Sequence, residues 1–408
     1  MEKLIVVGCG EHYYTNLAPA LSVLESNNLV EVIATVDVKN TIDASPFFRH
    51  KIFHLSRHSD QLLSTLLHEF REVNPIILLA HSNSWHITDT VDLIQNGYRV
   101  ILEKPYAINL AGITTLNSLF ANFPNQIAFA EYYLMMKSIP LLYSANLLSN
   151  ESFILGSPDY LMSLIEPNTI EEFRGVLKRI GQPRMVYCDI LEGEGLTGTF
   201  HHRGYDFFDR RNGGGIIMDL AIHSLAPLIA LEDFIGSVPN KETISIRGAY
   251  CDNYLEHAEG HHKIPLEFIA ESFAEIRFTT HTHVPVTIML GKYVLPNTNQ
   301  RRLIIIGDEG EALLDMSSCT LSIGLRDQCP TEILRTPKNS ESKYVPVLRG
   351  LLAIFGSASP YNFDSNKVAL RGQELTLTIA DSLLPITGER IIYSLGATPS
   401  QILPSFSK

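Results

Sequence analysis

Three side chains in this sequence have types and positions that could bind a ligand and move a proton. Lys104 lies in VILEKPYA (100–107), after an apolar run and before a proline. At the carboxyl end of a strand it would stand in the crevice where open α/β sheets take their ligands. Asp219 and His223, in NGGGIIMDLAIHSL (212–225), are four apart and so share one face of a helix. That spacing lets a carboxylate hold an imidazole in one tautomer and favours its protonated form, which suits a proton acceptor. The same residues also fit blander roles, a solvated loop lysine and a core histidine satisfied by an aspartate.

A dinucleotide would have to be held beside them. LIVVGCGEHYY (4–14) runs from four apolar residues into Gly8 and Gly10, then places Tyr13 where a third glycine would stand. The first glycine permits a tight turn and the second lets the main chain approach a pyrophosphate. Asp37 ends VEVIATVD (30–37), where a carboxylate can accept from adenosine ribose hydroxyls and repel a 2′-phosphate. It equally fits an aspartate that only starts a turn. For Tyr13 the sequence predicts a lengthened turn: Asn16 caps the helix, Pro19 falls in its first turn, and His12 to Thr15 form a loop over the phosphates, with Tyr13 pointing away from the contact of strand and helix.

The elements that position these residues alternate up to about residue 130. Strands are predicted at 4–7, 30–37, 75–80, 99–103 and 126–134. Helices are predicted around Leu17, Leu21 and Leu24, over 61–73, and over 86–97 with Gly97 closing the last. Such apolar strands need cover on both faces, which predicts an α/β, Rossmann-type parallel sheet over 1–130. Strand-like runs at 184–193, 242–251, 273–290, 301–310 and 311–316, with helices at 216–229 and 366–383, predict a C-terminal α+β domain over 131–408. Its large, mostly antiparallel sheet would have an open face, and 138–182 reads as a helical insertion and hinge.

Composition narrows the partners. A formal net charge of −12 with no basic block argues against nucleic acid. No apolar run reaches the ~20 residues that span a bilayer, and a strand begins at once, so a cytoplasmic protein without membrane contact is expected. Five scattered cysteines, Cys9, Cys188, Cys251, Cys319 and Cys329, read as free thiols. EHAEGHH (256–262) and THTH (280–283), where His281 and His283 would share one side of a strand, lack a third ligand at fixed spacing; no metal is expected.

Taken together, GCG, the acidic end of the second strand, LLAHSNSWH (78–86), LEKP (102–105) and GGGIIMDLAIH (213–223) stand in the order and spacing of the glucose-fructose oxidoreductase, inositol dehydrogenase and rhizopine catabolism family (Gfo/Idh/MocA), which the whole chain resembles. GQELTLTIADSLL (372–384) is similar to that family's late helix, which packs back on the first domain. The resemblance implies an NAD(P)-dependent dehydrogenase of sugars, cyclitols or their derivatives, with NAD favoured over NADP by Asp37. It implies Lys104, Asp219 and His223 as catalytic residues. Cofactor contacts would come from Gly8, Gly10, Glu11, His12, Asp37, Ser82, Asn83, His86, Glu103 and Lys104. Substrate contacts would come from Lys104, Glu131, Asp219 and His223. TFHHRGYDFFDRRNGG (199–214), rich in His, Arg and Asp, offers His201, His202, Arg203 and Asp206 as further candidates to bind substrate hydroxyls or an anionic group, and equally fits a solvated loop. AEYYLMMK (130–137) resembles a sugar-phosphate dehydrogenase motif, with Lys137 as phosphate ligand. His81-Ser82 departs from a common Thr-Pro start. The resemblance also implies a homodimer or homotetramer formed through the large sheet. The competing reading is a catalytically degenerate protein that senses a dinucleotide or sugar, and Tyr13 is its best support.

Overall fold

The computed structural model describes residues 1–39, 48, 52–58, 61–148, 174–192, 208–238, 244–249, 264–265, 268–292, 299–326, 331–335, 344–356, 361 and 363–383. The chain divides into two compact units, Met1–Arg174 with Arg335–Gln373, and Gly175–Leu334 with Glu374–Lys408. The first unit therefore runs past the expected break at 130 and takes in chain from beyond residue 334.

In the first unit six strands, β1 (Glu2–Val7), β2 (Val30–Asp37), β3 (Phe53–Ser56), β4 (Ile76–Leu79), β5 (Arg99–Glu103) and β6 (Ile127–Ala130), form a parallel sheet in the order β3-β2-β1-β4-β5-β6. This is the doubly wound, Rossmann-type arrangement that the alternation predicts, with its switch point between β1 and β4. Every residue of β4 and β6 is buried, as strands covered on both faces require. Asn109 caps the helix Leu110–Asn122, its side chain accepting from the Gly112 N–H at 2.8 Å. Gly97 closes the helix His86–Gln95 with φ +84°. At the edge of the sheet, Asn366 accepts from the Phe129 N–H at 3.0 Å and donates to the Ile127 carbonyl at 3.2 Å. Gln373 accepts from the Tyr106 N–H at 3.2 Å. The start of the late helix Ser365–Ser382, up to Gln373, thus belongs to the first unit, and the helix from Glu374 onward belongs to the second.

Two predicted elements are shorter. The helix expected over 61–73 is one turn, Leu63–Leu66, followed by a 3₁₀ segment, His68–Val73, with no buried residue to hold a helical face. The strand expected over 126–134 stops at Ala130, because the Glu131 carboxylate accepts from the Leu134 N–H and turns the chain into a π-helical turn, Tyr133–Lys137.

In the second unit β7 (Pro183–Glu192), β8 (Ser245–Ala249), β9 (Phe273–Thr279), β10 (Pro285–Lys292), β11 (Asn299–Gly307), β12 (Gly310–Asp315), β13 (Thr320–Leu325) and β14 (Thr331–Arg335) form one sheet, ordered β14-β13-β12-β11-β7-β10-β9-β8. β7 and β10 run parallel, and the other registered pairs are antiparallel. Val186, Cys188, Ile190, Ile288, Leu303 and Leu314 face the core. The helix Ile222–Ala230 packs against β7, where Cys188 Sγ lies 3.3 Å from Ser224 Oγ. The stretch Arg210–Ala230 corrects the expectation that no run is long and apolar enough to cross a bilayer. It passes that test on length and a mean hydropathy of 1.5, yet its apolar window is 94% buried, as a core helix is. The run predicted as one strand over 273–290 is a hairpin. His281 and His283 lie exposed in its turn, His283 at φ +64°, rather than side by side on a strand. Cys9, Cys188 and Cys319 are buried free thiols, with Cys9 pushed up to about 12 by burial; Cys251 and Cys329 lie outside the described residues.

Candidate functional site

At the carboxyl ends of β1, β2 and β4 a cleft of about 420 Å³ opens, lined among others by Gly8, Gly10, Asp37, Lys39, Arg57, His81, Ser82 and Trp85. Open α/β sheets bind ligands at this switch point. Gly8 has φ +95°, and a Cβ there would lie 2.5 Å from the main-chain nitrogen of His81. Its N–H donates to the Val36 carbonyl at 2.8 Å, and the Ala80 N–H donates to the Val7 carbonyl at 2.8 Å. The turn is wedged between β2 and β4, and only glycine fits. A Cβ on Gly10 would meet nothing within 4 Å. The protein's own packing does not demand that glycine, and the space beside it suits a group such as a diphosphate.

Asp37 accepts from the Cys9 N–H at 2.6 Å and from the Lys39 N–H at 3.0 Å. Its first task is therefore to tie the β1 turn to the end of β2. It still lines the cleft, and a carboxylate has further lone pairs for a ribose.

The lengthened turn predicted for Tyr13 is not what the chain does. Residues from Glu11 onward are helical, and Tyr13–Leu17 form a π-helical turn in which the Ala18 N–H bonds to the Tyr13 carbonyl. Pro19 sits in the first turn of the helix Ala18–Ser26. In a regular helix its ring would meet the Thr15 carbonyl and its missing N–H would leave that carbonyl unpaired; the wide turn relieves both. Asn16 is no cap. Its amide donates to Thr15 Oγ1 at 2.9 Å and lies 3.2 Å from His12 Nδ1. Tyr13 is fully buried, edge-on to Tyr14, and is absent from the cleft lining.

Glu11 is exposed at the helix start. His12 Nε2 lies 3.7 Å from Glu103 Oε1, and its ring meets Tyr344 edge-on at 5.1 Å. Asn83 lies in the 3₁₀ turn Asn83–Trp85. His86 is buried, its Nδ1 2.7 Å from the Pro105 carbonyl; burial, then the His81 charge, push its imidazole down to about 4. Lys104 follows β5 at its carboxyl end, joined to Pro105 by a cis peptide bond. Glu131 is buried just beyond β6, and Lys137 is buried with Nζ 5.8 Å from the Tyr132 ring centre.

Sequence reasoning passed over a charged cluster in the cleft wall. His81 Nε2 lies 2.8 Å from Asp89 Oδ2, and its Nδ1 lies 3.0 Å from the Ser82 carbonyl. Arg57 grips both Asp89 oxygens at 2.6 and 2.8 Å and lies 4.4 Å from the centre of the Trp85 ring. Burial would raise the Asp89 carboxyl, but hydrogen bonds from His81 and Arg57 hold it below its usual value. Asp89, eight residues past His81 in an apolar helix, was the available signal.

In the second unit Asp219 lies in the π-helical turn Ile217–Ala221, and His223 is buried in the helix that follows. The Asp219 carboxylate is engaged by the Lys292 ammonium, which also lies 3.3 Å from Glu192. Glu192 in turn meets Arg301 at 3.0 Å. Lys292, the ammonium that ends an apolar strand, was not anticipated. His201, His202, Arg203 and Asp206 lie outside the described residues.

No protein-family model matches the chain, and no curated protein sequence does. Solved structures match over nearly the whole length. An oxidoreductase from Thermotoga maritima is 16% identical with a TM-score of 0.64, covering 93% of this chain and 96% of its own. A UDP-N-acetylglucosamine 3-dehydrogenase from Acidithiobacillus ferrooxidans is 14% identical with a TM-score of 0.60, covering 93% and 96%. A 3-ketoreductase from Actinomadura kijaniata, solved with NADP and TDP-benzene, is 14% identical with a TM-score of 0.60, covering 96% and 99%. The chain has the fold of these oxidoreductases, in keeping with the family its sequence resembles.

Proposed function

We propose that the chain is an NAD(P)-dependent oxidoreductase of the Gfo/Idh/MocA family, acting on a secondary alcohol, or the corresponding ketone, of a sugar, cyclitol or sugar derivative. The observation that carries this reading is the cleft at the switch point, with a glycine turn that no other residue fits, open space at Gly10, and Asp37 at its rim. Gly8, Gly10, Asp37 and Ser82 would hold the dinucleotide, and Asp37 would favour NAD over NADP by repelling a 2′-phosphate. The burial of Tyr13 behind the turn removes the main support for a degenerate sensor.

The nicotinamide supplies the hydride acceptor or donor when bound. Lys104 would stabilise negative charge developing on the substrate oxygen, and His223 would take or return the proton. Asp219, neutralised by Lys292, would serve chiefly to orient the groups around it. Two neighbours named for reactions at a 3-position, one of them on a nucleotide-linked sugar, support a sugar substrate. Trp85 is the sole tryptophan and lines the cleft, so NADH and NADPH titrations read by its fluorescence should show binding, tighter for NADH. A screen of polyols, cyclitols and nucleotide sugars at the reduced-nicotinamide absorbance band should then find turnover. Lys104→Ala should lower it by about 2–4 kcal/mol of transition-state stabilisation. Full turnover in both Lys104→Ala and His223→Ala would refute the assignment.

A further inference from the structure

We propose that Gln373, in the late helix Ser365–Ser382, is a positioning residue for Lys104: its side-chain oxygen fixes the main chain two residues past the lysine. What this does for catalysis rests on the reading that Lys104 meets the reacting oxygen. Lys104 itself lies beyond the last ladder pair of β5, Glu103 with Ala130, so strand pairing does not set its height. The residues after it are gripped instead. The Pro105 carbonyl accepts from His86 Nδ1 at 2.7 Å. The Tyr106 hydroxyl donates to the Ala130 carbonyl at 2.9 Å, and its ring meets Phe129 edge-on at 5.0 Å. The Tyr106 N–H donates to Gln373 Oε1 at 3.2 Å. Tyr106, Ala107 and Gln373 are all fully buried.

Two features single out Gln373 among these contacts. An N–H can only donate, so the Tyr106 contact fixes the amide with its oxygen toward the loop. Gln373 Nε2 then meets no acceptor among the described residues, although it is buried. An unmet buried donor destabilises where a methionine of the same length would not, so packing alone does not account for a glutamine at this position. Its acceptor is what the site uses. The second feature is the anchorage of the helix. Asn366 stands seven residues before Gln373, about two turns back on the same face, and is bonded to β6 through the Phe129 N–H and the Ile127 carbonyl. The face that carries Gln373 is therefore pinned to the sheet whose strand end carries Lys104. A displacement of about 1 Å at a catalytic group lowers rate on the order of a hundredfold, so a rigid mount for the lysine matters.

Competitive acetylation of the full chain with sulfosuccinimidyl acetate, read lysine by lysine by peptide mass spectrometry, tests this. Gln373→Met keeps the length and removes the acceptor. It should raise the rate at Lys104 about fivefold, the equivalent of one lost hydrogen bond. Lys137, buried in the same unit, should not change. Gln373→Glu, which keeps an acceptor, should return Lys104 to the wild-type rate. An unchanged Lys104 in Gln373→Met, an equal rise at Lys104 and Lys137, or no rescue by Gln373→Glu overturns the proposal. Deuterium exchange on wild type covers the case in which the variants do not fold. The Tyr106 amide should be protected like that of Phe129, and a freely exchanging Tyr106 amide overturns the proposal. Neither measurement uses a substrate or cofactor, so failure here leaves the oxidoreductase reading intact, whereas a chain with no turnover on the screened alcohols strikes that reading and not the contact.

Discussion

His86 should make the first unit acid-labile over a window fixed by its surroundings. The imidazole is buried at the start of the helix His86–Gln95, its Nδ1 held 2.7 Å from the Pro105 carbonyl. Burial, then the charge of His81, lower it from an ordinary 6.5 to about 4. The unfolded chain takes up this proton as the pH falls below 6.5, while the folded chain resists until about 4. The contribution is therefore fully present above the unfolded value and is lost as the pH falls through the interval. At about 1.4 kcal/mol per unit the loss approaches about 3 kcal/mol by pH ~4. Asp89 does not confuse the reading, since its carboxyl is held below its usual value of 3.8. The assay is urea unfolding followed by Trp85 fluorescence from about pH 7 to about pH 4, comparing wild type with His86→Gln, whose amide can still donate to Pro105. Carboxylates common to both proteins cancel in the difference. Wild type should lose about 3 kcal/mol relative to the variant across the window; a difference that stays flat would refute the burial argument.

Gly8→Ala should cost on the order of 3 kcal/mol and abolish ADP-ribose binding, because its Cβ would lie 2.5 Å from the His81 nitrogen in a left-handed backbone conformation; chemical denaturation and calorimetry measure both effects. Lys292→Met would leave the Asp219 and Glu192 carboxylates facing each other without their shared ammonium. It should destabilise the second unit by about 3–5 kcal/mol in thermal unfolding, and a negligible change would show the pair to be dispensable. On the sheet face opposite the core, Met185, Tyr187, Met289, Ile304, Ile306 and Leu313 stay partly or fully exposed, and we infer that a second copy of the chain covers them. Light scattering should find a dimer or larger assembly that Ile304→Asp dissociates.

What the sequence disclosed, it disclosed through burial. Strands such as Ile76–Leu79 and Ile127–Ala130 are apolar throughout because both faces are covered, and they read as strands on sight. Phe53–Ser56 did not, since this four-residue edge strand has no buried residue and its Phe53 is exposed. The cleft was legible at Gly8, Gly10, Asp37 and Ser82, where residue type alone constrains the backbone or the chemistry. Its charged wall was not legible, because His81, Asp89 and Arg57 meet only once β3, β4 and the helix after β4 are in place. Tyr13 shows where local rules run out. A proline four residues past Thr15 and a ring at the third-glycine position each argued against a helix starting at Glu11, and the inference of a loop followed from regular helical geometry. The chain widens one turn instead, so that the Ala18 N–H reaches the Tyr13 carbonyl, Pro19 escapes its clash, and the ring enters the core. Tyr13 and Pro19 thus belong to one solution: relieving the proline by a wide turn also lets a bulky residue follow Gly10 without filling the cleft.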